Sequence, residues 1–135
     1  MIMDYAALSR DYARYHTTPG NRRMHAIGIP LIVFAIVKWS QVGSIFPLAA
    51  LVLPVYFMWD RRLGWIIGGF IAASALVGWV LPGWTAWAAF VVGWVFQIYG
   101  HQAYEKNSPA LLDNALHLLI GPAFVTEKLA GLERA

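Results

Sequence analysis

The chain has 135 residues, of which 59% are hydrophobic and 13% charged, and its formal net charge is +3. A soluble domain of this size cannot bury so much apolar surface, so the composition favours a protein embedded in lipid. The absence of cysteine excludes disulfides, zinc–thiolate sites and thiol catalysis. No basic stripe with interleaved aromatic residues is present, so we expect no nucleic-acid partner.

The first predicted element is an amphipathic helix over residues 1–15 that lies at the membrane surface. Tyr5, Leu8 and Tyr12 recur there at spacings of three and four. Charged residues interrupt this stretch before an apolar core develops, so we expect no secretory signal peptide. Thr18 is the predicted cap of the next helix, and Pro19 fits its first position.

Four apolar segments follow, over residues 26–39, 45–59, 63–81 and 84–99. The third is long enough to cross a membrane unaided, whereas the first two are short and contain proline, and form either tilted spans or a helical hairpin. The tail is predicted to be interfacial, with a helix that ends at Gly121-Pro122. The predicted fold class is therefore all-α: one membrane-embedded domain over residues 1–135, with about four apolar helices between amphipathic N-terminal and C-terminal interfacial helices.

The basic residues predict the orientation in the membrane. With four spans, nine of the ten lysines and arginines lie on one side, and only Lys38 lies on the other. Because positive loops stay in the cytoplasm, both termini and the central loop are expected there.

The four histidines predict a metal site shared by the two ends of the chain. His16, His25, His101 and His117 all fall at the predicted cytoplasmic face, and none occurs between residues 26 and 100. Imidazole is the commonest side-chain metal ligand near neutral pH, and it suits iron, zinc and copper.

Polar groups at helical spacing accompany these histidines. Gln97, His101 and Glu105 follow one another at intervals of four and share one helix face where an apolar helix leaves the bilayer. Glu105, Asn21 and Asp113 each lie four residues from a histidine, where they could hydrogen-bond its second ring nitrogen. The same spacing allows Glu105 to be a ligand itself, and the stripe could instead be a hydrogen-bond seam between helices.

Two sequence motifs contain three of the histidines. The first, H-x4-N-x3-H-x2-G-x-P, begins at His16, and the second, Q-x2-G-H-x3-E-x3-P-A-L, begins at Gln97. Both resemble motifs of a family of iron(II)-dependent 2-hydroxy fatty acid dioxygenases that has many bacterial members. The resemblance covers nearly the whole chain. It implies oxidation of a 2-hydroxy fatty acid with O2 to an acid one carbon shorter, with Fe(II) held by histidines and without 2-oxoglutarate. It also implies contact with membrane lipid, in a bacterial inner membrane.

The site residues expected on this interpretation fall into three groups. The metal ligands are His16, His25, His101 and His117. The catalytic residues are Glu105 and Asn21, and the substrate residues are Arg22, Arg23 and Gln97. Arg22 or Arg23 would pair with the substrate carboxylate, although the arginine pair also serves as a topology signal.

Two other interpretations use the same histidines. One is a different metalloenzyme acting on lipids, such as a zinc-dependent hydrolase, because histidine ligation alone does not select the metal. The other is a non-enzymatic membrane scaffold whose histidines form a structural network. The oligomeric state is left open by the sequence.

Overall fold

The computed structural model describes residues 4–106 and 117–132, and this part of the chain is helical throughout, without strands. The α-helices are α1 (Tyr5–Ala13), α2 (Pro19–Trp39), α3 (Leu53–Trp59), α4 (Arg61–Val80), α5 (Trp84–Gly100) and α6 (His117–Ala130). A 3-10 helix, Leu48–Val52, leads directly into α3, and a π-helical turn, His101–Glu105, continues α5. The all-α fold class is confirmed over these residues.

Capping side chains explain where the helices begin. The Thr18 hydroxyl accepts a hydrogen bond from the backbone N–H of Asn21, and Pro19 occupies the first turn of α2, as the sequence predicts. Asp60 caps α4 in the same way, with its carboxylate accepting from the first N–H groups of that helix. The charged residues after the second apolar segment therefore start a helix as well as ending one.

The helix break predicted at Gly121-Pro122 is wrong, because α6 runs through both residues to Ala130. A proline inside a helix removes one backbone hydrogen bond and costs about 3 kcal/mol. Packing offsets this cost, since Ile120 and Ala123 on either side of the pair are completely buried.

The core forms where α1, α3, α4 and α6 meet. The predicted apolar face of α1 is buried against the protein, at Tyr5, Leu8 and Tyr12. The Tyr5 ring stacks on Trp59 with the ring centroids 5.0 Å apart. Helix α1 thereby fixes the direction in which the chain enters the connection to α2.

Among the described residues, one helix is long and apolar enough to cross a membrane, and it is α4, Arg61–Val80. This agrees with the length predicted for the third apolar segment. The membrane-embedded bundle as a whole stays a prediction.

Helices α2 and α5 touch through their backbones at two glycines. A Cβ atom on Gly28 would lie 2.7 Å from the carbonyl oxygen of Gly93, and one on Gly93 would lie 2.8 Å from the carbonyl oxygen of Gly28. Any larger residue at either position would push the helices apart. This contact sets the distance between the two helices that lead to His25 and His101.

We expect Gly28→Ala and Gly93→Ala each to lower the free energy of unfolding by about 1–3 kcal/mol, the usual cost of overpacking. Gly69→Ala in α4 is the matched control, because a Cβ there meets nothing within 4 Å. That variant should be unchanged or more stable by up to about 1 kcal/mol, because alanine favours the helix. Unfolding in detergent followed by circular dichroism measures both effects. Equal stability of all three variants would contradict the backbone contact.

Candidate metal centre

Three of the four predicted histidines meet in the interior, although they come from distant parts of the chain. His16 lies in the connection after α1, His25 in the second turn of α2, and His101 at the start of the π-helical turn. Their exposed fractions are 1%, 4% and 1%. The Nε2 atom of His25 is 2.8 Å from Nε2 of His16 and 3.1 Å from Nε2 of His101.

The backbone determines which nitrogen of two rings carries the proton. Nδ1 of His16 lies 2.7 Å from the carbonyl oxygen of Tyr12, and Nδ1 of His25 lies 3.0 Å from that of Asn21. A carbonyl can only accept, so each Nδ1–H donates. Burial lowers the pKa of His16 to about 4 and that of His25 to about 3, so both rings are neutral at pH 7. Each Nε2 therefore presents a lone pair to the other.

Two lone pairs that face each other at this distance repel, unless a cation lies between the rings. Nitrogens bound at right angles to one ion, each about 2.1 Å from it, lie about 3 Å apart. The two short Nε2–Nε2 distances match that spacing, and the ligand atoms of all three residues lie within 4.8 Å of one another. The cluster could thus hold a metal ion, and three protein ligands would leave positions open for other molecules.

His117 lies outside this cluster. Its Nε2–H donates to the carboxylate of Asp11 at 2.8 Å, and its Nδ1 has no hydrogen-bond partner among the described residues. The ring still lines the same cavity as the other three, and its role as a ligand stays a prediction. Asp11 is missed by the spacing rule, which selects Asp113, a residue outside the described ranges.

Glu105 faces the start of α2. Its carboxylate accepts hydrogen bonds from the Thr17 hydroxyl at 2.7 Å, from the Thr18 N–H at 2.7 Å and hydroxyl at 3.0 Å, and from Asn21 Nδ2 at 3.3 Å. Burial tends to raise the pKa of Glu105, but these hydrogen bonds outweigh it and lower the pKa from 4.5 to about 2. The contacts make Glu105 a clamp that joins the His101 turn to the segment between His16 and His25.

Asn21 holds His25 through its main chain. Nδ1 of His25 contacts the backbone carbonyl of Asn21, four residues earlier, and not the side-chain amide. The Asn21 amide instead donates to the carbonyl of Tyr15 and to Glu105, in a fully buried position. Tyr12 is a residue that the sequence interpretation missed: its carbonyl holds His16 with the same spacing, and its ring stacks on that histidine at 3.9 Å.

A cavity of about 70 Å³, the histidine cavity, lies beside the cluster. Gln97 lines it, is 4% exposed, and has no partner for its Nε2 among the described residues. A second cavity of about 160 Å³ reaches His16 and His25 from another side and is lined by Arg22, Arg23 and Lys128 among others. Arg22 also donates its Nε–H to the carbonyl oxygen of His16 at 2.9 Å.

These features define an all-helical protein with a buried three-histidine cluster that could hold a metal ion. The chain belongs to the family described as 2-hydroxy-palmitic acid dioxygenase Mpo1-like, whose family model matches residues 2–132. It is 26% identical over 136 residues to the 2-hydroxy-palmitic acid dioxygenase MPO1 of Saccharomyces cerevisiae. The alignment covers 92% of this chain and 78% of the yeast protein. No solved structure shows significant similarity to the chain. The family resemblance drawn from the two motifs is confirmed.

The clamp predicts a specific dependence of stability on pH. Since the pKa of Glu105 is about 2 in the folded protein, against 4.5 ordinarily, its stabilisation is complete above pH 4.5 and is lost as the pH falls towards 2. We expect Glu105→Gln to lower the free energy of unfolding at pH 7, and the difference from wild type to shrink across that interval. Thr17→Val, which removes one of the four hydrogen bonds, should have a smaller effect. A wild-type advantage that is constant from pH 7 to pH 2 would contradict the clamp.

Proposed function

We propose that the protein is a dioxygenase that shortens 2-hydroxy fatty acids by one carbon, with Fe(II) held by His16, His25 and His101. The observation that carries this proposal is the convergence of three imidazole nitrogens in a buried cluster. Family membership and the similarity to a 2-hydroxy-palmitic acid dioxygenase support the substrate class.

The proposed reaction takes one 2-hydroxy acid and one O2 to the acid one carbon shorter, CO2 and water. The bond between C1 and C2 breaks, C2 becomes the new carboxyl carbon, and the two carbons together lose as many electrons as one O2 accepts. Fe(II), when bound, supplies the redox chemistry with O2 that protein side chains lack.

The side chains around the cluster bind and orient the substrate in this proposal. Gln97 donates its Nε2–H to an oxygen of the substrate head group, which satisfies a buried donor that otherwise has no partner among the described residues. Arg22 and Arg23 attract the carboxylate through the basic cavity on the other side of His16 and His25. Tyr12 and Phe124 pack on the His16 ring and exclude water from that side.

Glu105 and Asn21 act as positioning residues in this proposal, in place of the catalytic roles expected from the sequence. Among the described residues, four hydrogen bonds to the Glu105 carboxylate come from the start of α2 and the residues before it. Asn21 contributes a backbone carbonyl to His25 and a side-chain amide to Glu105. Both residues thus act on the substrate only through the histidines that they hold in place.

We also propose that the protein is embedded in a bacterial inner membrane, with both termini and the metal centre at the cytoplasmic face. The apolar length of α4 supports this. So do large apolar side chains exposed on α4 and α5, such as Trp65, Trp84, Trp87 and Val95. The positions of the lysines and arginines supply the orientation.

Elemental analysis of anaerobically purified protein tests the metal. We expect near-stoichiometric iron in wild type, and its loss in His16→Ala, His25→Ala and His101→Ala variants that still purify as folded protein. His117→Ala should retain iron, because its Nε2 is already held by Asp11. Loss of iron from the His117→Ala variant would show that His117 is a fourth ligand. Zinc with turnover that needs no O2 would favour a lipid hydrolase, and no metal after reconstitution would favour a scaffold.

Gln97→Met tests the contact with the substrate. Because Nε2 has no partner among the described residues, its removal should leave folding stability and iron content unchanged or slightly improved. The lost hydrogen bond to substrate, about 1–3 kcal/mol, should raise KM about 5- to 150-fold. Steady-state O2 consumption measures this change. A destabilised variant with normal KM would show that Gln97 is structural.

A further inference from the structure

We propose that the alkyl chain of the substrate lies in an apolar cavity beside α2, α4 and α6, and that Ala49, which lines this cavity but not the histidine cavity, limits the chain length. This inference rests on the proposed function, because that function requires a long apolar tail next to the histidines. The cavity has a volume of about 280 Å³ and is called the tail cavity below.

The tail cavity adjoins the histidine cavity. Both are bounded by Val33, Ile36, Leu118 and Pro122, so the same four side chains form the boundary between them. In this proposal the tail of a substrate whose head group lies beside His25 passes between these side chains into the larger space.

The walls of the tail cavity select an alkyl chain. Among the described residues that line it, all side chains except Tyr56 are aliphatic or proline, and the Tyr56 hydroxyl already donates to the carbonyl oxygen of Leu119 at 2.8 Å. A water molecule needs two or more polar partners to be held in a cavity, and these walls offer it few. Methylene groups gain from the same surroundings by leaving water.

The order of polarity along α2 matches that of a fatty acid. Near the start of α2, Arg22 and Arg23 border the second cavity, and His25 follows them. Further along the helix, Val33, Ile36 and Val37 border the tail cavity. At a rise of 1.5 Å per residue, Val33 and Val37 lie roughly 12–18 Å along the helix from His25. The carboxylate, the reacting carbon and the tail would thus meet basic, histidine and apolar surroundings in turn.

Ala49 and Val52 of the 3-10 helix and Ile71 of α4 line the tail cavity and do not line the histidine cavity. Ala49 has the smallest side chain of the lining residues, so a larger residue there shortens the cavity without touching the histidines. A separate cavity of about 270 Å³, lined by Ala130 among others, also borders Val33 and Pro122 and is the competing route for the tail.

Binding to metal-free protein tests the tail cavity without requiring turnover. Saturated 2-hydroxy acids of increasing length compete with a fluorescent fatty acid, and free ligand is measured at a fixed detergent concentration. We expect affinity to rise about four-fold per methylene, the value for full burial of a CH₂ group, and then to level off when the cavity is full.

The variants separate the two routes. In Ala49→Phe, the affinity should level off at a shorter chain length, while the affinity for short acids should be unchanged. In Val52→Ala, the affinity should level off at a longer chain length. Ala130→Phe, which makes the same substitution in the competing cavity, should change nothing. The proposal is overturned if Ala130→Phe moves the plateau, if neither Ala49→Phe nor Val52→Ala does, or if wild type shows no dependence on chain length.

The outcome also distinguishes this inference from the proposed function. If the plateau shifts as expected in a protein that never consumes O2, the tail cavity is supported and the dioxygenase activity is contradicted. If turnover depends on O2 but none of the variants moves the plateau, the dioxygenase activity is supported and the tail cavity is contradicted.

Discussion

The close approach of α2 and α5 at Gly28 and Gly93 is the constraint on which the site depends. At this point the backbone of each helix lies against that of the other, because neither glycine carries a Cβ. His25 lies one turn before Gly28, and His101 lies two turns after Gly93. The separation of the helices therefore sets the distance between the two imidazoles, whose Nε2 atoms lie 3.1 Å apart.

The backbone prepares these imidazoles for a metal before any metal binds. His16 and His25 each donate Nδ1–H to a carbonyl four residues earlier, and burial keeps both rings neutral. The proton position is thus fixed by main-chain geometry, which few substitutions can alter. Packing holds the Nε2 lone pairs of His16 and His25 close to each other although they repel. This arrangement favours the binding of a cation between the two rings.

Polar contacts join the segments that carry the histidines, and apolar packing surrounds the cluster. Glu105 ties the His101 turn to the start of α2 with charge-assisted hydrogen bonds, which are about twice as strong as neutral ones. Aliphatic side chains of α2 and α6 then separate the histidine cavity from the larger apolar space beyond it. A polar reaction centre can in this way lie next to a volume suited to a hydrocarbon tail.

The sequence by itself determined the features that depend on neighbours along the chain. Thr18 and Pro19 begin α2 because a cap acts within one turn, and the apolar segments become helices because their composition allows little else. Histidines confined to the two ends of the chain predicted a shared site, and three of them meet. Two family motifs predicted the family that the comparison confirmed.

The tertiary structure alone decided the partners that lie far apart in sequence. Glu105 binds Thr17, 88 residues away, and His117 binds Asp11, 106 residues away, whereas spacing rules consider only neighbours four residues apart. Helix α6 continues through Gly121-Pro122 because Ile120 and Ala123 are buried by other helices, and that burial outweighs a local break. Cavities likewise belong to the spaces between helices, so no single segment encodes them.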